Sequence, residues 1–257
     1  KEYRRQRQMC IRDRYTCGGS TTVADRRIRC HKTTGHGTQT FTQTVMNSCN
    51  PAFIEWGRRV GVDNFYTYID KLGLTSKTGI DIAGEAGTII HKKENVGEVE
   101  LATMSFGQSF QLTPMQMLRA AAAIVNGGNL VTPHFAIRTC AADKTTYSEF
   151  SYSTTQEAVS KETSDTMKDI LRQVVEEGGG KNAYIEGFSI GGKTATSQKL
   201  PRGSGKYIAS FIGFSDVTDP SVIAMCLIDE PQGVYYGGTI AAPVIRELYD
   251  NILPYMD

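Results

Sequence analysis

Three consecutive segments near the end of the chain most strongly limit the folds that it can adopt. Each is rich in apolar and small residues, and short polar turns separate them. Segments of this length joined by short turns usually pair as antiparallel strands. The sequence therefore predicts a three-stranded antiparallel sheet, built from FSIGGKTATSQ (188–198), YIASFIGFSDV (207–217) and SVIAMCLIDEP (221–231).

Segments with helical periodicity lie before and after these strands. A stretch from Thr38 to Leu74 is predicted to be helical, with Ser48, Cys49 and Asn50 in a short connection between two helices and Asn50 as a plausible cap. Further helices are predicted for LTPMQMLRAAAAIVNGGNLVTP, KETSDTMKDILRQVVEEGGG and the closing GGTIAAPVIRELYDNILPYM. Helices followed by consecutive strands and a terminal helix predict an α+β fold.

The first fourteen residues differ from the rest of the chain. KEYRRQRQMCIRDR is arginine-rich and has almost no apolar periodicity, whereas the pattern of a globular protein begins near Tyr15. Residues 1–14 are therefore predicted to be a non-native or disordered leader, and residues 15–257 a single domain.

The charge balance excludes one class of partner. The chain has 28 Lys and Arg residues against 27 Asp and Glu, so no electrostatic attraction to nucleic acid is expected. No run approaches the roughly 18 to 20 apolar residues that a membrane span needs, and the first residues are no signal peptide.

The cysteine and histidine pattern predicts neither a metal site nor a cofactor. Six cysteines form no C-x-x-C pair, and four histidines show no metal-ligand spacing. Cys17 and Cys30 bracket a short, turn-rich stretch, so a local disulfide between them is one expectation. Two unpaired thiols are the alternative.

Two motifs can carry acyl-transfer chemistry. Ser48-Cys49-Asn50 is an S-x-N sequence, and residues 191–198 read GGKTATSQ, which is close to a K-T-G strand. A literal K-T-G also occurs at Lys77, but it follows a helix and enters a glycine-rich loop. Lys193 is favoured, because it lies 145 residues after Ser48 on a predicted strand whose glycines permit close approach of a substrate.

These motifs, with five others in order, resemble class B penicillin-binding proteins of the division and sporulation type. The others are GHG (35–37), NSCNPAF (47–53), TGIDIAGEAG (78–87), FGQSFQLTPMQM (106–117) and YYGGTIAAPVIREL (235–248). The resemblance covers residue 15 to the C-terminus. It implies a penicillin-binding-protein/serine β-lactamase-like fold, with an antiparallel sheet flanked by helices and the first part of the domain missing.

The resemblance also implies an activity and its partners. It implies a serine-type peptidoglycan D,D-transpeptidase that acts on D-Ala-D-Ala stem peptides, binds β-lactams and needs no cofactor. Its setting would be the extracytoplasmic face of the cell membrane, with a glycosyltransferase of the division or sporulation machinery as partner. The membrane anchor would lie outside this chain.

By the same resemblance, named residues receive roles. Ser48 would relay a proton, Asn50 would bind the substrate backbone, and Lys193 would place a positive charge beside Ser48 and the substrate carboxylate. The alternatives without a catalytic role are helix caps for Ser48 and Asn50 and an exposed strand lysine for Lys193. The remaining predicted substrate-binding residues are Thr194, Ala195, Thr196 and Gln198, with Ala195 standing where the family has glycine.

The family's S-x-x-K nucleophile does not occur, because no serine in the 257 residues has lysine three positions later. In the family this motif precedes the S-x-N, so the chain is expected to be an inactive fragment of an enzyme. A β-lactamase or β-lactam sensor, and a non-catalytic scaffold of the same fold, are the alternatives. An S-x-x-K about 50 residues before Ser48 in the coding sequence would favour the enzyme.

Overall fold

The computed structural model describes residues 13–201 and 203–256, and these form short strands, helices and turns. The strands are β1 Arg14–Cys17, β2 Ser20–Val23, β3 Arg26–Arg29, β4 Gly37–Thr40, β5 Leu130–Val131, β6 Arg138–Cys140, β7 Tyr147–Glu149, β8 Thr154–Thr155, β9 Ile190–Gln198, β10 Tyr207–Ser215 and β11 Ile223–Asp229. The helices are α1 Phe41–Met46, α2 Asn50–Lys71, α3 Glu98–Ser105, α4 Pro114–Val125, α5 Lys161–Glu176, α6 Gly237–Ile240 and α7 Ala242–Ile252. Single 3-10 turns lie at Lys93–Asn95, Lys181–Ala183 and Leu253–Tyr255.

The predicted three-stranded sheet is confirmed. Its order is β11-β10-β9, and both pairs are antiparallel. Lys193 is opposite Ile212, and Thr196 is opposite Ala209. Within the described part of the chain β9 is an edge strand, so one side of its backbone is free of strand partners.

Two glycines on β9 let the sheet pack closely against its own aromatic side chains. A Cβ atom added to Gly191 would collide with the ring of Phe214. A Cβ atom added to Gly192 would collide with the Phe211 ring and lie 2.6 Å from the Ile212 carbonyl oxygen. Gly191 and Gly192 were expected to permit a substrate's approach. They also permit close packing of the core.

The main apolar core lies where helices cover this sheet. Phe211 of β10 packs with Val175 at the end of α5 and with Ile245 and Tyr249 of α7, and all four are buried. The Tyr249 hydroxyl donates a hydrogen bond of 2.6 Å to the Gly213 carbonyl oxygen. The terminal helix is thus fixed to the strand next to β9. Mixed helices and an antiparallel sheet confirm the α+β prediction.

The helical segment predicted from Thr38 to Leu74 begins later than expected. Residues 38–40 belong to β4, which pairs with β1, and Thr40 then caps α1 through a reciprocal pair of hydrogen bonds with Gln43. Helix α2 starts at Asn50 with Cys49 as its N-cap, and no side chain caps it. The cap readings of Ser48 and Asn50 are therefore wrong. Gly61, with φ of 76°, interrupts α2.

Other elements were not predicted. Helix α3 was not predicted: it begins at Glu98, within the last three residues of a stretch (76–100) expected to be a glycine-rich loop, and continues to Ser105. Four two-stranded pairs use strands of two to four residues. Arg14, the last residue of the predicted leader, is opposite Thr40 in the β1–β4 pair, so folded structure begins before residue 15. Residues 1–12 of that leader lie outside the described residues. Across the described ranges, we find no helix with the length and apolar character of a bilayer span.

We predict that Gly192→Ala lowers the free energy of unfolding by about 1 to 3 kcal/mol, because the added methyl group meets a buried ring and a backbone carbonyl. Gly87→Ala is the matched control, since no atom lies within 4 Å of its added Cβ. It should change stability by less than about 0.5 kcal/mol. Chemical denaturation of both variants measures the difference. Equal stability of the two variants would contradict the packing role of Gly192.

Candidate active site

Ser48 and Lys193, both predicted for the site, are in contact although 145 residues separate them. Lys193 Nζ donates hydrogen bonds of 2.9 Å to Ser48 Oγ and to the Thr194 carbonyl oxygen. Ser48 lies in the turn between α1 and α2, and Lys193 lies on β9. An amine and a hydroxyl at this distance can pass a proton between them.

The turn that carries Ser48 is held by its own backbone. The Ser48 N–H donates to the Val45 carbonyl at 3.1 Å, and the Cys49 N–H donates to the Thr44 carbonyl at 3.0 Å. Ser48 has φ of 46°, a left-handed conformation that side chains other than glycine adopt at a cost. The surrounding hydrogen bonds maintain this conformation and direct the hydroxyl toward β9.

Asn50 begins α2 two residues after Ser48. Its side-chain amide donates a 3.3 Å hydrogen bond to the carbonyl oxygen of Arg29, the last residue of β3. The S-x-N asparagine thus links the active-site turn to a neighbouring strand. Its predicted contact with a substrate backbone stays a prediction.

Partial burial makes the Lys193 ammonium group easier to deprotonate. Desolvation lowers its pKa to about 8. The group is therefore mainly protonated near neutral pH and releases its proton more readily than an exposed lysine does. A cation with this property can serve both as an anion anchor and as a proton donor.

The substrate-binding residues predicted after Lys193 lie along the free edge of β9. Thr196 Oγ1 accepts a 3.1 Å hydrogen bond from the Gly237 N–H, which leaves the Thr196 hydroxyl proton available for another acceptor. Thr194, Thr196 and Gln198 alternate with Lys193 and Ala195 along the strand. This alternation places the first three side chains on one face of the sheet and the other two on the opposite face.

Ala195 does not interrupt the strand. Its partner in the ladder is Ser210, and the antiparallel register continues on both sides without a bulge. Ala195 is exposed, so its methyl group lies on the surface of the strand. Gly237 packs against it closely enough that an added Cβ would collide with the Ala195 and Ser210 carbonyl oxygens. This role of Gly237 was not predicted, although the Gly237-Gly238 pair before α7 is a pattern that permits close backbone approach.

The literal K-T-G at residues 77–79 builds a loop instead of a strand. Lys77 is exposed, Thr78 is buried, and the N–H groups of Thr78 and Gly79 donate to the Glu85 carboxylate at 2.7 and 3.3 Å. Partial desolvation by itself would raise the pKa of the Glu85 carboxyl. The hydrogen bonds to the loop contribute to outweighing this effect, so the pKa is lowered. Lys77 is placed on this loop, whereas Lys193 is placed against Ser48.

Cys17 and Cys30 are free, buried thiols, so the structure does not contain the disulfide expected between them. Instead, their sulfur atoms lie in a group with the Cys49 sulfur and a ring nitrogen of His36, all within 4.8 Å of one another. The absence of metal-ligand spacing in the sequence therefore did not exclude a cluster of these side chains in the folded chain. The spacing C-x12-C-x5-H-x12-C matches no short metal motif, and only tertiary structure brings these residues together.

The thiols of this group influence one another. The hydrogen bond between Cys30 and Cys49 lowers the pKa of Cys30 and raises the pKa of Cys49, since one thiol supports the ionised form of the other. Cys49 lies next to Ser48 in sequence, so this buried group adjoins the active-site turn.

Comparison with protein families supports one assignment across almost the whole chain. The family model described as the penicillin-binding protein transpeptidase domain matches residues 8–250. Stage V sporulation protein D of Bacillus subtilis is 42% identical over 248 residues, which cover 95% of this chain and 38% of that protein. A probable peptidoglycan D,D-transpeptidase PenA of Neisseria meningitidis is 30% identical over 214 residues, covering 81% of this chain and 35% of that protein. The chain thus spans between a third and two fifths of the length of these relatives.

Solved structures agree in fold. Penicillin-binding protein 3 of Mycobacterium tuberculosis, in complex with aztreonam, superposes with a TM-score of 0.86 at 24% identity, covering 96% of this chain and 58% of that one. A structure titled as a peptidoglycan glycosyltransferase from Burkholderia ambifaria gives a TM-score of 0.82 at 20% identity, covering 96% and 72%. At these identities the likeness concerns the fold alone.

We predict that the partly buried, desolvated charge of Lys193 makes stability depend on pH. Its pKa is lower in the folded chain than in the unfolded chain, so the unfolded chain binds more protons between about pH 8 and 10.5. The penalty for burying the charge is fully present below pH 8 and disappears as pH rises through this window. Lys193→Met removes the penalty, so its stability relative to wild type should be about 1 to 3 kcal/mol more favourable at about pH 7 than at about pH 10.

Denaturant titrations of wild type and Lys193→Met at both pH values measure this difference. Lys77→Met is the control, because Lys77 is exposed and its charge stays hydrated. A stability difference for Lys193→Met that does not change with pH would show that the amine is not desolvated.

Proposed function

The chain belongs to the penicillin-binding-protein transpeptidase family, and on this premise we propose that it supplies part of the active site of a peptidoglycan D,D-transpeptidase. The observation that carries the proposal is the 2.9 Å contact between Lys193 Nζ and Ser48 Oγ beside the free edge of β9. An amine and a hydroxyl that can exchange a proton thus lie next to a strand edge that can pair with a peptide.

The reaction that we propose is acyl transfer between stem peptides. A serine of an S-x-x-K motif, which the 257 residues do not contain, attacks the penultimate D-Ala carbonyl. The C–N bond to the terminal D-Ala breaks, and Ser48 relays to the leaving amine the proton that the attacking serine has lost. An amine from a second stem peptide then attacks the acyl-serine ester, which forms the cross-link and returns a proton to the serine. β-Lactams would acylate the same serine.

Lys193 has two roles in this proposal. Its positive charge attracts the substrate's terminal carboxylate, and its lowered pKa of about 8 lets it replace a proton that Ser48 gives away. Both roles depend on its position between the carboxylate site and the Ser48 hydroxyl. Neither Lys193 nor Ser48 forms a covalent bond with the substrate.

Substrate binding in this proposal uses the edge of β9. An extended stem peptide adds to a free strand edge through main-chain hydrogen bonds, as peptides do in strand addition. Thr194 and Thr196 donate their hydroxyl protons to the carboxylate, and the Thr196 N–H serves as half of an oxyanion hole. Gln198 extends the contact, Asn50 offers its amide to the substrate backbone, and exposed Ala195 leaves the register of the strand unchanged.

The cellular setting is proposed from the family. We place the whole protein at the outer face of the cell membrane, where peptidoglycan is cross-linked, with a glycosyltransferase that extends the glycan strands as its partner. A role in division or in sporulation fits relatives such as the stage V sporulation protein.

We predict that a fluorescent penicillin does not label the 257-residue chain, because none of its serines has lysine three residues later. Denaturing gels after incubation with the reagent give the measurement, with a known penicillin-binding protein as positive control. Stable, stoichiometric labelling at any residue would contradict the view that an S-x-x-K serine is required.

We predict that in the longer protein, with an S-x-x-K serine before Ser48, Lys193→Ala slows penicillin acylation by roughly 30- to 1,000-fold. This corresponds to about 2 to 4 kcal/mol for a charge-assisted contact in a partly desolvated cleft. Lys77→Ala is the matched control and should leave the rate within about threefold, because Lys77 is an exposed loop residue.

The second-order acylation rate of both variants is measured with thermal melting as a check of folding. A larger loss from Lys77→Ala than from Lys193→Ala would overturn the assignment of the catalytic strand.

A further inference from the structure

We infer that Cys17, Cys30, His36 and Cys49 form a structural zinc site beside the active-site turn. One ligand atom from each residue lies within 4.8 Å of the other three. Three thiolates and one imidazole are a ligand set that tetrahedral Zn²⁺ favours. The proposed transpeptidase reaction does not use this group, so the inference is independent of that activity.

The distance between the Cys30 sulfur and His36 Nδ1 matches the distance between two ligand atoms in a tetrahedral zinc site. Zn–S bonds of about 2.3 Å and Zn–N bonds of about 2.0 Å place ligand sulfur and nitrogen about 3.5 Å apart in a tetrahedron. The Cys30 sulfur lies 3.6 Å from His36 Nδ1. The other ligand atoms, all within 4.8 Å of one another, would need to close to about 3.8 Å between sulfur atoms around one ion.

The ligands come from separate elements that the backbone holds together. Cys17 ends β1, Cys30 follows β3, His36 precedes β4, and Cys49 caps α2. The Cys30 N–H donates a 2.9 Å hydrogen bond to the Gly19 carbonyl oxygen, which joins two ligand-bearing segments. An ion at this point would link four segments that otherwise meet through short strands.

Glycines position the histidine. Gly35 has φ of 82° and Gly37 has φ of 70°, conformations that disfavour other residues. A Cβ on Gly35 would also collide with the Cys17 carbonyl oxygen, so the GHG segment can pack against β1 only with glycine there. The turn therefore presents His36 toward the three sulfur atoms.

A buried amide beside the cluster supplies a second observation. Gln39 is buried, and within the described ranges its Nε2 atom has no hydrogen-bond partner. The Gln39 side chain interacts with the Cys49 thiol, while Asn47 Nδ2 donates to Gln39 Oε1 at 2.8 Å. A metal-bound thiolate accepts hydrogen bonds better than a thiol does, and second-shell donors of this kind commonly support metal ligands. Zinc binding would thus give this amide its partner.

The site would be closed and structural. Four protein ligands fill a tetrahedral shell and leave no position for a water molecule or a substrate. Three thiols release their protons to solvent as the ion binds, which leaves a net charge of about −1 on the complex. Because Cys49 is adjacent to Ser48, the ion would fix the turn that places Ser48 against Lys193.

The experiment measures metal binding by the 257-residue chain purified under reducing conditions. We expect about one tightly bound zinc per chain by elemental analysis, and a higher melting temperature with zinc than after chelation. With Co²⁺ in place of zinc, we expect the absorption bands of a tetrahedral thiolate complex. Cys30→Ser should lose the stoichiometric metal and these bands, whereas Cys140→Ser, at an exposed cysteine, should keep both.

The inference would be overturned if the reduced wild-type chain bound no stoichiometric zinc, or if its cobalt spectrum showed no thiolate ligation. It would also be overturned if Cys30→Ser retained the metal or if Cys140→Ser lost it. A disulfide among the three thiols that persists in reductant would have the same consequence. If Cys30→Ser does not fold, the zinc content, cobalt spectrum and melting of wild type and Cys140→Ser decide the question. None of these measurements depends on acylation, so they are separate from the test of the proposed function.

Discussion

The contact between the Lys193 amine and the Ser48 hydroxyl is the interaction on which the arrangement of the site depends. It joins a strand of the sheet to a turn between two helices, across 145 residues of chain. Desolvating this amine costs stability, as its lowered pKa indicates. The sheet, the capped helix before the turn and the backbone hydrogen bonds of the turn must therefore hold both groups in place. The same desolvation that costs stability lets Lys193 release its proton more readily than an exposed lysine does.

Close packing by glycine makes this arrangement possible. Gly191 and Gly192 lie against aromatic rings of the neighbouring strand, and Gly237 lies against the backbone of β9 and β10. The same strand therefore packs into the core through its glycines and contacts Ser48 and Gly237 through Lys193 and Thr196. These residues are close along the strand, so a change to one group will affect the other. This explains why alanine at position 195, where the side chain is exposed, is accommodated more easily than it would be at position 192.

Sequence patterns identified the parts of this fold that local physics determines. The three long strands are apolar segments separated by short polar turns, α4 has a Thr-Pro start and a Gly-Gly end, and Lys193 could be preferred to Lys77 from its strand context. The pairs among β1 to β8 are too short to show a period, and α3 is a helix of only eight residues. The Cys17, Cys30, His36 and Cys49 group could not be found, because four distant segments must fold before their ligand atoms meet. The start of α2 was misjudged by one residue, since Cys49 caps it without a side-chain hydrogen bond.

The free edge of β9 also affects how separate copies of this protein meet. An unpaired strand edge can join the edge of another molecule and begin an aggregate. The Lys193 amine is turned to Ser48 and does not guard this edge, but just beyond the end of β9 Lys199 forms ion pairs with Asp229 and Glu230 at 2.9 and 2.8 Å. Charged side chains at a strand edge oppose association with a second edge, because pairing would remove them from water. The charged cluster at the end of β9 therefore limits how far a second copy of the chain could pair along this edge.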